Sequence, residues 1–517
     1  MKHCTGFPVG QVANLRRVVN PSDRVEERRL AIGAQDALLP HVMKALAVDL
    51  GATSGRVMLG ELEQGVLTLE ELHRFANTPV QLPTGSYWDT LRLFHEIRRG
   101  LAIAGRERRL QIDAIGVDTW GVDIAFLGED GALVDNPHHY RDARNHGVPE
   151  KAFQVVPKEE IFESSGIQFM QINSLYQWYA MKLASSPALC VAKKLLFMPD
   201  LFNYWLTGVA RAERTIASTS QFYDPRKRAF ASAMLKKLGL DASILAEVVD
   251  PGTELGPLLP DIAEFSGLGA VPVYASGGHD TADAVVAVPA EGKNWCYISS
   301  GTWSLMGVEL DEPVVDAATL AENFTNEAGA AGKIRFLKNI AGMWLLEECR
   351  AAWALEGNNF TYEELLESAA AAKPRTAVID PDAFLEPGHM PARIAEFCRT
   401  SGQPVPLDPG QVTRVILESL AERYKHVLAS IEKLTGRRIR VIHIVGGGSQ
   451  NRLLNQLAAD ITGRVVIAGP VEATAIGNVL IQAMGAGVVK DLKEAREIVA
   501  RSFPVERFEP ARGASGR

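Results

Sequence analysis

Between Lys44 and Leu62 the chain reads KALAVDLGATSGRVMLGEL, an apolar run, a cluster of small residues and a second apolar run. That pattern predicts a strand over 44–50, a loop, and a hairpin partner over 56–62. LTLEELHRFAN at 67–77 predicts a third strand. In DTLRLFHEIRRGLAIAG at 89–105 the apolar positions fall three and four apart, which predicts a helix. IDAIGVDTWGVDIAFLGEDGALV follows at 112–134, two apolar runs around a polar turn, and reads as a strand pair interrupted by Asp118, Thr119 and Trp120. Strands, helix and strands in this order imply an α/β domain with a mixed sheet. The segment 150–245 is more helical in pattern.

Near residue 290 the pattern starts again. CYISSGTWSLMGVEL at 296–310 is strand, turn of glycine and small hydroxyl residues, strand. It repeats the arrangement at 44–62 with little residue identity, so two similar domains are expected, each offering a loop to a shared cleft. IRVIHIVGGGSQNRLLNQLAADITG at 439–463 reads as strand, triple glycine, helix, with Gly446, Gly447 and Gly448 placed at a helix N-terminus where a phosphate is welcome. The first loop lacks the G-x-x-x-x-G-K-[ST] pattern of a P-loop and no helix pattern follows it, yet its glycines and hydroxyls suit an anion. The expected division is an extension over 1–43, a first domain over 44–290, a second over 291–490 and a tail over 491–517. Residues 1–42 show no strand alternation and no signal-peptide apolar core, so they read as a loosely ordered extension or as lying upstream of a true start at Met43; the second reading is favoured.

Composition narrows the class. A chain of 517 residues exceeds what one core usually holds, which fits two domains. The formal net charge of -8 argues against nucleic acid as the main partner. Five scattered cysteines with no C-x-x-C pair fit reduced thiols in a cytoplasm. The most membrane-like stretch, 465–485, contains Gly469, Pro470 and Glu472, so strand, turn and buried helix describe it better than a span. A soluble, cytoplasmic protein is expected.

Three stretches carry candidate chemistry. SGGHDTADAVVAVP at 276–289 puts His279, Asp280 and Thr281 at the entrance of an apolar helix. Asp280 or Thr281 could cap that helix, or Asp280 could face the cleft as a proton acceptor. The motif alone favours the cap, and the paired phosphate loops reverse the balance. GVDTWGVD at 116–123 is either a turn with one capping Asp or a substrate wall, since Trp120 and Gly121 suit a sugar. Asp49, directly before the first loop's glycine, is either a solvated strand end or a carboxylate facing phosphate through Mg²⁺ held mostly by water. His138 and His139 point apart as adjacent residues and lack the spacing of a metal site. Glu347 and Glu348 look like ordinary helix carboxylates.

AVDLGATSGRVML, GVDTWGVD, YRDAR, SGIQF, MPDLFNYWLTG, GHDTADAV, SSGTWSLMGVEL, NFTNEAG, LKNIAGMWLLEECR and VGGGSQNRLLNQLAADITG, in that order from about 44 to 485, together resemble the FGGY carbohydrate kinase family, and within it the kinases of L-rhamnulose. The resemblance implies two actin-like or hexokinase-like (ribonuclease H-like) ATPase domains whose hairpin loops grip the phosphates of ATP across a cleft. It implies transfer of the γ-phosphate to the 1-hydroxyl of L-rhamnulose, in L-rhamnose catabolism, with ATP and Mg²⁺. Carried over by position, Ala52, Thr53, Ser54, Gly55 and Arg56 form the first phosphate loop, Thr302 the second, and Glu347 and Gly447 contact the nucleotide. Gly121, His279, Asp280, Thr281 and Asn339 contact the sugar, with Asp280 as proton acceptor. Glu347 stands where the relatives' amide, Gln, is expected. The rivals are a family member acting on fuculose, xylulose or glycerol, a sugar sensor without catalysis, and an actin-like ATPase with no sugar substrate. Oligomeric state is left open.

Overall fold

The computed structural model describes residues 42–386 and 388–511. The expectations for the N-terminal extension therefore lie outside the described residues, apart from Met43, which opens the first strand.

The first sheet contains β1 (Met43–Leu50), β2 (Ser54–Glu63), β3 (Val66–Ala76), β4 (Ala114–Thr119), β5 (Glu254–Pro257) and β6 (Pro272–Tyr274), in the order β5-β6-β4-β1-β2-β3. β1 is buried on both faces, which is why its sequence runs apolar instead of alternating. Leu46, Val48 and Leu50 pack with Leu93, Ile97 and Leu101 of helix α1 (Thr90–Ala102). The intervening Ala45 and Ala47 point to the other face, as the two-residue period of a strand requires.

The second sheet contains β7 (Trp295–Ser300), β8 (Trp303–Leu310), β9 (Thr325–Ala328), β10 (Ile334–Ala341), β11 (Val441–Val445), β12 (Val465–Ala468) and β13 (Glu506–Phe508), in the order β9-β10-β8-β7-β11-β12-β13. The duplication is visible strand by strand. β1 pairs antiparallel with β2 and parallel with β4, and β7 pairs antiparallel with β8 and parallel with β11. β3 and β10 each lie antiparallel on the outer side of the hairpin, while β6 and β12 each extend the parallel side. A last antiparallel strand, β5 or β13, ends each sheet.

After β6 comes helix α3 (Asp280–Val286), and after β12 comes α6 (Ala473–Gly485). Helix α2 is the single turn Arg214–Ser218, and the second half also carries α4 (Trp344–Leu355) and α5 (Arg452–Thr462). The two equivalent helices pack on each other, and α6 also lies against β1 and β4 of the first sheet. Gly477 permits the contact, since a Cβ there would lie 1.8 Å from the carbonyl oxygen of Asp283. Among the described residues no helix is long and apolar enough to cross a membrane.

Three sequence expectations need correction. The runs at 112–134 do form two strands, but these do not pair: Ile124–Leu127 pairs with Lys194–Phe197 instead of joining β4. The residues after the triple glycine make a short 3-10 turn, Gly447–Gln450, and α5 begins only at Arg452, capped by the Asn451 side chain. Residues 491–511 are not a tail. They form helix α7 (Leu492–Ser502), which packs on β3, and then β13, because Leu492, Ala495, Ile498 and Val499 give α7 one apolar face to bury.

Candidate active site

The two hairpin loops face each other across a cavity of about 270 Å³. The first-half wall is Asp49, Gly51, Ala52, Thr53, Arg56, Trp120, Gly121 and His279 to Thr281, with Gln168 and Asn173 from a longer loop. The second half supplies Ser299 to Trp303, Glu327, Asn339, Gly446 and Gly447. A further chamber of about 590 Å³ adjoins it and shares Gln168, Met170, Ile172, Trp303 and Asn339.

Each loop is tied down by its own backbone. Gly51 N–H donates to Ser54 O at 2.9 Å, and Asn77 braces the turn by donating from its backbone N to Thr53 O (3.0 Å) and from Nδ2 to Gly51 O (2.8 Å). Ala52 and Thr53 are left at the cavity. In the second loop Gly301 N–H donates to Trp303 O (2.8 Å), while Trp344 N–H at the start of α4 donates to Thr302 O (3.1 Å). Gly447 has open space where a Cβ would project, and its backbone borders the cavity.

Ser54 and Gly55, both expected in the phosphate loop, are not on the cavity wall. They belong to β2, and a Cβ on Gly55 would lie 2.3 Å from the Phe75 ring, so packing explains that glycine. Arg56 lines the cavity, but its guanidinium is bound to Asp49 and to Glu472 of the second half. Burial alone would lower its pKa; the two carboxylates more than reverse that and keep it charged. Glu347 is exposed on α4, donated to by Arg350 (3.0 Å), and the structure does not bring it to the cavity.

Asp280 is the first residue of α3, and the helix starts from His279 without a side-chain cap. Nor does Thr281 cap it; its Oγ1 donates to Asp280 Oδ1 at 3.0 Å. With a side chain 30% exposed to the cavity, Asp280 is available to a ligand. Burial raises its pKa above the usual carboxylate range and Asp49 adds to the effect, while His279 and Thr281 oppose it. Asp118, opposite Asp49 in the parallel register, is fully buried and raised well above that range by burial and by Asp49. It accepts from Asn478 Nδ2 of α6 at 2.6 Å, a bond that ties the site to the contact between the two halves.

In the stretch 116–123 neither Asp caps a turn, and Trp120 and Gly121 line the cavity. Asp123 accepts from Trp88 Nε1 (2.5 Å), Trp120 Nε1 (2.8 Å) and Gln177 Nε2 (2.7 Å), fixing the Trp120 ring. Burial pushes the Asp123 carboxyl up to about 7 despite these donors. Gly121 stands at the cavity, where a Cβ would come within 3.3 Å of His279 Nε2. Val122 next to it has φ +70, a strained setting for a β-branched residue of the kind found at functional sites. Asn339 is held by Gln168, whose Oε1 accepts from Asn339 N (2.9 Å) and Nδ2 (3.2 Å).

Sequence reasoning missed Gln168, Glu327 and Trp303 on this wall, and Asn478 behind it. SGIQF, NFTNEAG and SSGTWSLMGVEL contain three of these, but their meeting across the cleft has no local signal.

Among the described residues no three His, Cys, Asp or Glu side chains are grouped to hold a metal by themselves. Asp49 at the cavity wall nonetheless fits the way Mg²⁺ is bound with a nucleotide, through one or two carboxylates, substrate phosphates and water.

Residues 44–287 match the N-terminal domain, and residues 296–486 the C-terminal domain, of the FGGY family of carbohydrate kinases. The chain belongs to that family. It is a carbohydrate kinase, a phosphotransferase acting on a small-molecule sugar and ATP. It is 47% identical over 466 residues to a curated rhamnulokinase of Bacteroides thetaiotaomicron, covering 90% of this chain and 95% of that one. It is 42% identical over 475 residues to the rhamnulokinase of Pectobacterium carotovorum, covering 91% and 93%. The rhamnulokinase of Bacillus subtilis is 38% identical over 468 residues, covering 90% and 95%. A gluconate kinase from Lactobacillus acidophilus superposes with a TM-score of 0.75 at 14% identity, covering 92% of this chain and 95% of that one. Plasmodium falciparum glycerol kinase with ADP superposes with a TM-score of 0.72 at 13% identity, covering 91% and 94%. At such identities these two structures speak to the two-domain FGGY fold alone.

Proposed function

We propose that this FGGY kinase transfers the γ-phosphate of ATP to O1 of L-rhamnulose, giving L-rhamnulose 1-phosphate in L-rhamnose catabolism, with Asp280 taking the hydroxyl proton. The observation that carries the reading is the placement of Asp280: a carboxylate with a raised pKa at the cavity wall that also bears both hairpin loops. The identities to curated rhamnulokinases support the choice of sugar.

Phosphoryl transfer asks a protein mainly for position and charge neutralisation. Ala52, Thr53 and Thr302 would supply loop contacts to the phosphates, with Gly447 beside the nucleotide. Gly121, His279, Thr281 and Asn339 would hold the sugar, with Trp120 as its apolar wall. Asp49 would hold Mg²⁺ together with the ATP phosphates, and bound there the ion neutralises charge on the transferring group. A raised pKa makes Asp280 a stronger proton acceptor than an exposed carboxylate. The two halves together screen this chemistry from water, the competing acceptor.

Coupled ADP release across a sugar panel tests the proposal. L-Rhamnulose should give a higher kcat/KM than L-fuculose, D-xylulose or glycerol, with the phosphate on O1 by NMR of the product. A preference of about tenfold or more for another of these sugars, the effect of about 1.4 kcal/mol in transition-state binding, would leave the family and remove the substrate. ATP hydrolysis of equal rate without sugar would instead favour an actin-like ATPase.

A further inference from the structure

His279 is held from the second half of the molecule. Glu327 on β9 and Arg335 on β10 are direct cross-strand partners, and their charged groups lie 3.1 Å apart. Both are buried, Arg335 completely. A buried ion pair contributes little to stability on balance, because desolvating two charges offsets their attraction. Its position here suggests another use. Arg335 Nη2 lies 3.0 Å from His279 Nδ1, across the cleft, and Nε donates to Ala328 O at 3.0 Å. Glu327 Oε2 lies 3.3 Å from the same ring nitrogen. The far nitrogen of the ring, Nε2, is 3.3 Å from Asp280 Oδ1.

The shorter contact at His279 Nδ1 points to one tautomer. A guanidinium stays protonated and has no acceptor, so Arg335 can only donate. Facing Arg335 at 3.0 Å, His279 Nδ1 presents its lone pair and the ring proton sits on Nε2, on the side of Asp280; a proton on Nδ1 would instead face Glu327 Oε2, at the longer 3.3 Å. With Thr281 Oγ1 donating to Asp280 Oδ1 and Nε2 3.3 Å from that same oxygen, the other oxygen of Asp280 is left for an incoming hydroxyl. Glu327, which burial would raise, is kept below the ordinary range chiefly by Arg335, so the pair stays charged and the guanidinium keeps its place. The charged groups facing the imidazole are thus Asp280 on its own helix, Glu327 on β9 and Arg335 on β10.

We propose that Arg335 is a positioning residue for the phosphoryl transfer: it fixes His279 as the neutral Nε2–H tautomer and thereby directs the free oxygen of Asp280 toward the sugar. The proposal rests on the kinase reading above. It also makes one half of the molecule responsible for orienting the base carried by the other.

The test uses the full chain labelled with nitrogen-15 histidine, the His279 signal among 11 histidines being assigned by its loss in His279→Gln. Near neutral pH the unaltered protein should show His279 protonated on Nε2 alone. Arg335→Lys, which keeps a cationic donor, should retain more activity than Glu327→Gln/Arg335→Met, which removes both charges together and leaves neither buried alone. The double variant should keep its KM for ATP, lose the fixed tautomer, and lose kcat by about tenfold or more, as a misoriented group does. Unaltered His279 carrying its proton on Nδ1, or on both nitrogens, would overturn the proposal whether or not the variants fold. So would a folded double variant with kcat within about threefold of the unaltered protein, since misplacement of a catalytic group costs far more. Failure of the unaltered protein to release ADP in response to any sugar would overturn the kinase reading, a result distinct from any tautomer measured.

Discussion

Asp280 at the cavity and the buried Asp123 behind its wall show how differently two carboxylates are employed. Because α3 starts from His279 and Asn can accept the same local hydrogen bonds as Asp, Asp280→Asn should leave the melting temperature within a few degrees of the unaltered protein. It should lower kcat by ~10²–10⁴, since Asn cannot accept the sugar's proton. A folded Asp280→Asn protein keeping more than roughly a tenth of its kcat would remove Asp280 from the chemistry. Asp123 is internal support, and its signature is thermodynamic. Its carboxyl, raised to about 7 in the fold, is bound to a proton more tightly than in the unfolded chain. The stability this adds is complete below the unfolded pKa, near 4, and is lost as pH rises to about 7. Relative to Asp123→Asn, the unaltered protein should therefore lose stability across that window, by at most about 1.4 kcal/mol per pH unit. Urea denaturation of both proteins at several pH values measures it, and a pH-independent difference would refute the raised pKa. The roles of these residues were unevenly legible. GHDTAD announced a charged residue at a helix entrance, but only the structure shows that the helix starts from His279, with Asp280 as its first residue at the cavity wall. Arg56 was expected in the phosphate loop, yet its partner Glu472 lies more than 400 positions away and no local pattern could supply it.

At the scale of elements, the hairpins were legible because two apolar runs around small residues have few other solutions. β1 and β2 fall within two residues of their expected bounds, and β7 and β8 together span 295–310 where 296–310 was expected. The strand after Gly121 was legible as a strand but not in its pairing, since Ile124 to Leu127 are apolar on both faces and would suit either sheet. α7 and β13 were missed because their polar faces resemble a tail, and only the position of β3 and β12 reveals what their apolar residues cover. A chain ending at Lys490 should accordingly fail to accumulate as soluble protein, having lost a helix against β3 and the strand that pairs with β12. Normal expression and melting of that truncation would restore the tail. Helix α6 offers a finer test. Gly477→Ala adds a methyl carbon where the Asp283 carbonyl lies 1.8 Å away, so α3 and α6 must separate. A loss of about 1–3 kcal/mol is expected, typical of an overfilled contact, and chemical denaturation reads it directly.

For the molecule as a whole, the duplication legible in the sequence is a duplication of topology, while the packing is shared. One continuous apolar cluster runs from Ala45, Ala47 and Met58 of the first sheet through Ala284 to Val286 of α3 and the following Ala287 and Val288, and on to Trp295, Tyr297 and Val479 of the second half. Arg56 with Glu472, and Asp118 with Asn478, cross the same boundary. Calorimetry should therefore give a single transition for both halves, with a van't Hoff enthalpy close to the calorimetric one, whereas two separable transitions would show independent units. The shared cluster also bears on how such a molecule can be taken apart. A gene fragment encoding either half alone would present the alanine face of β1 or the apolar face of α6 to water, and its product would be a sticky intermediate instead of a smaller enzyme. Swapping halves between sugar kinases, an obvious way to transplant specificity, would succeed only where the incoming half also brings a glycine at the crossing point and a matching set of small side chains beneath it.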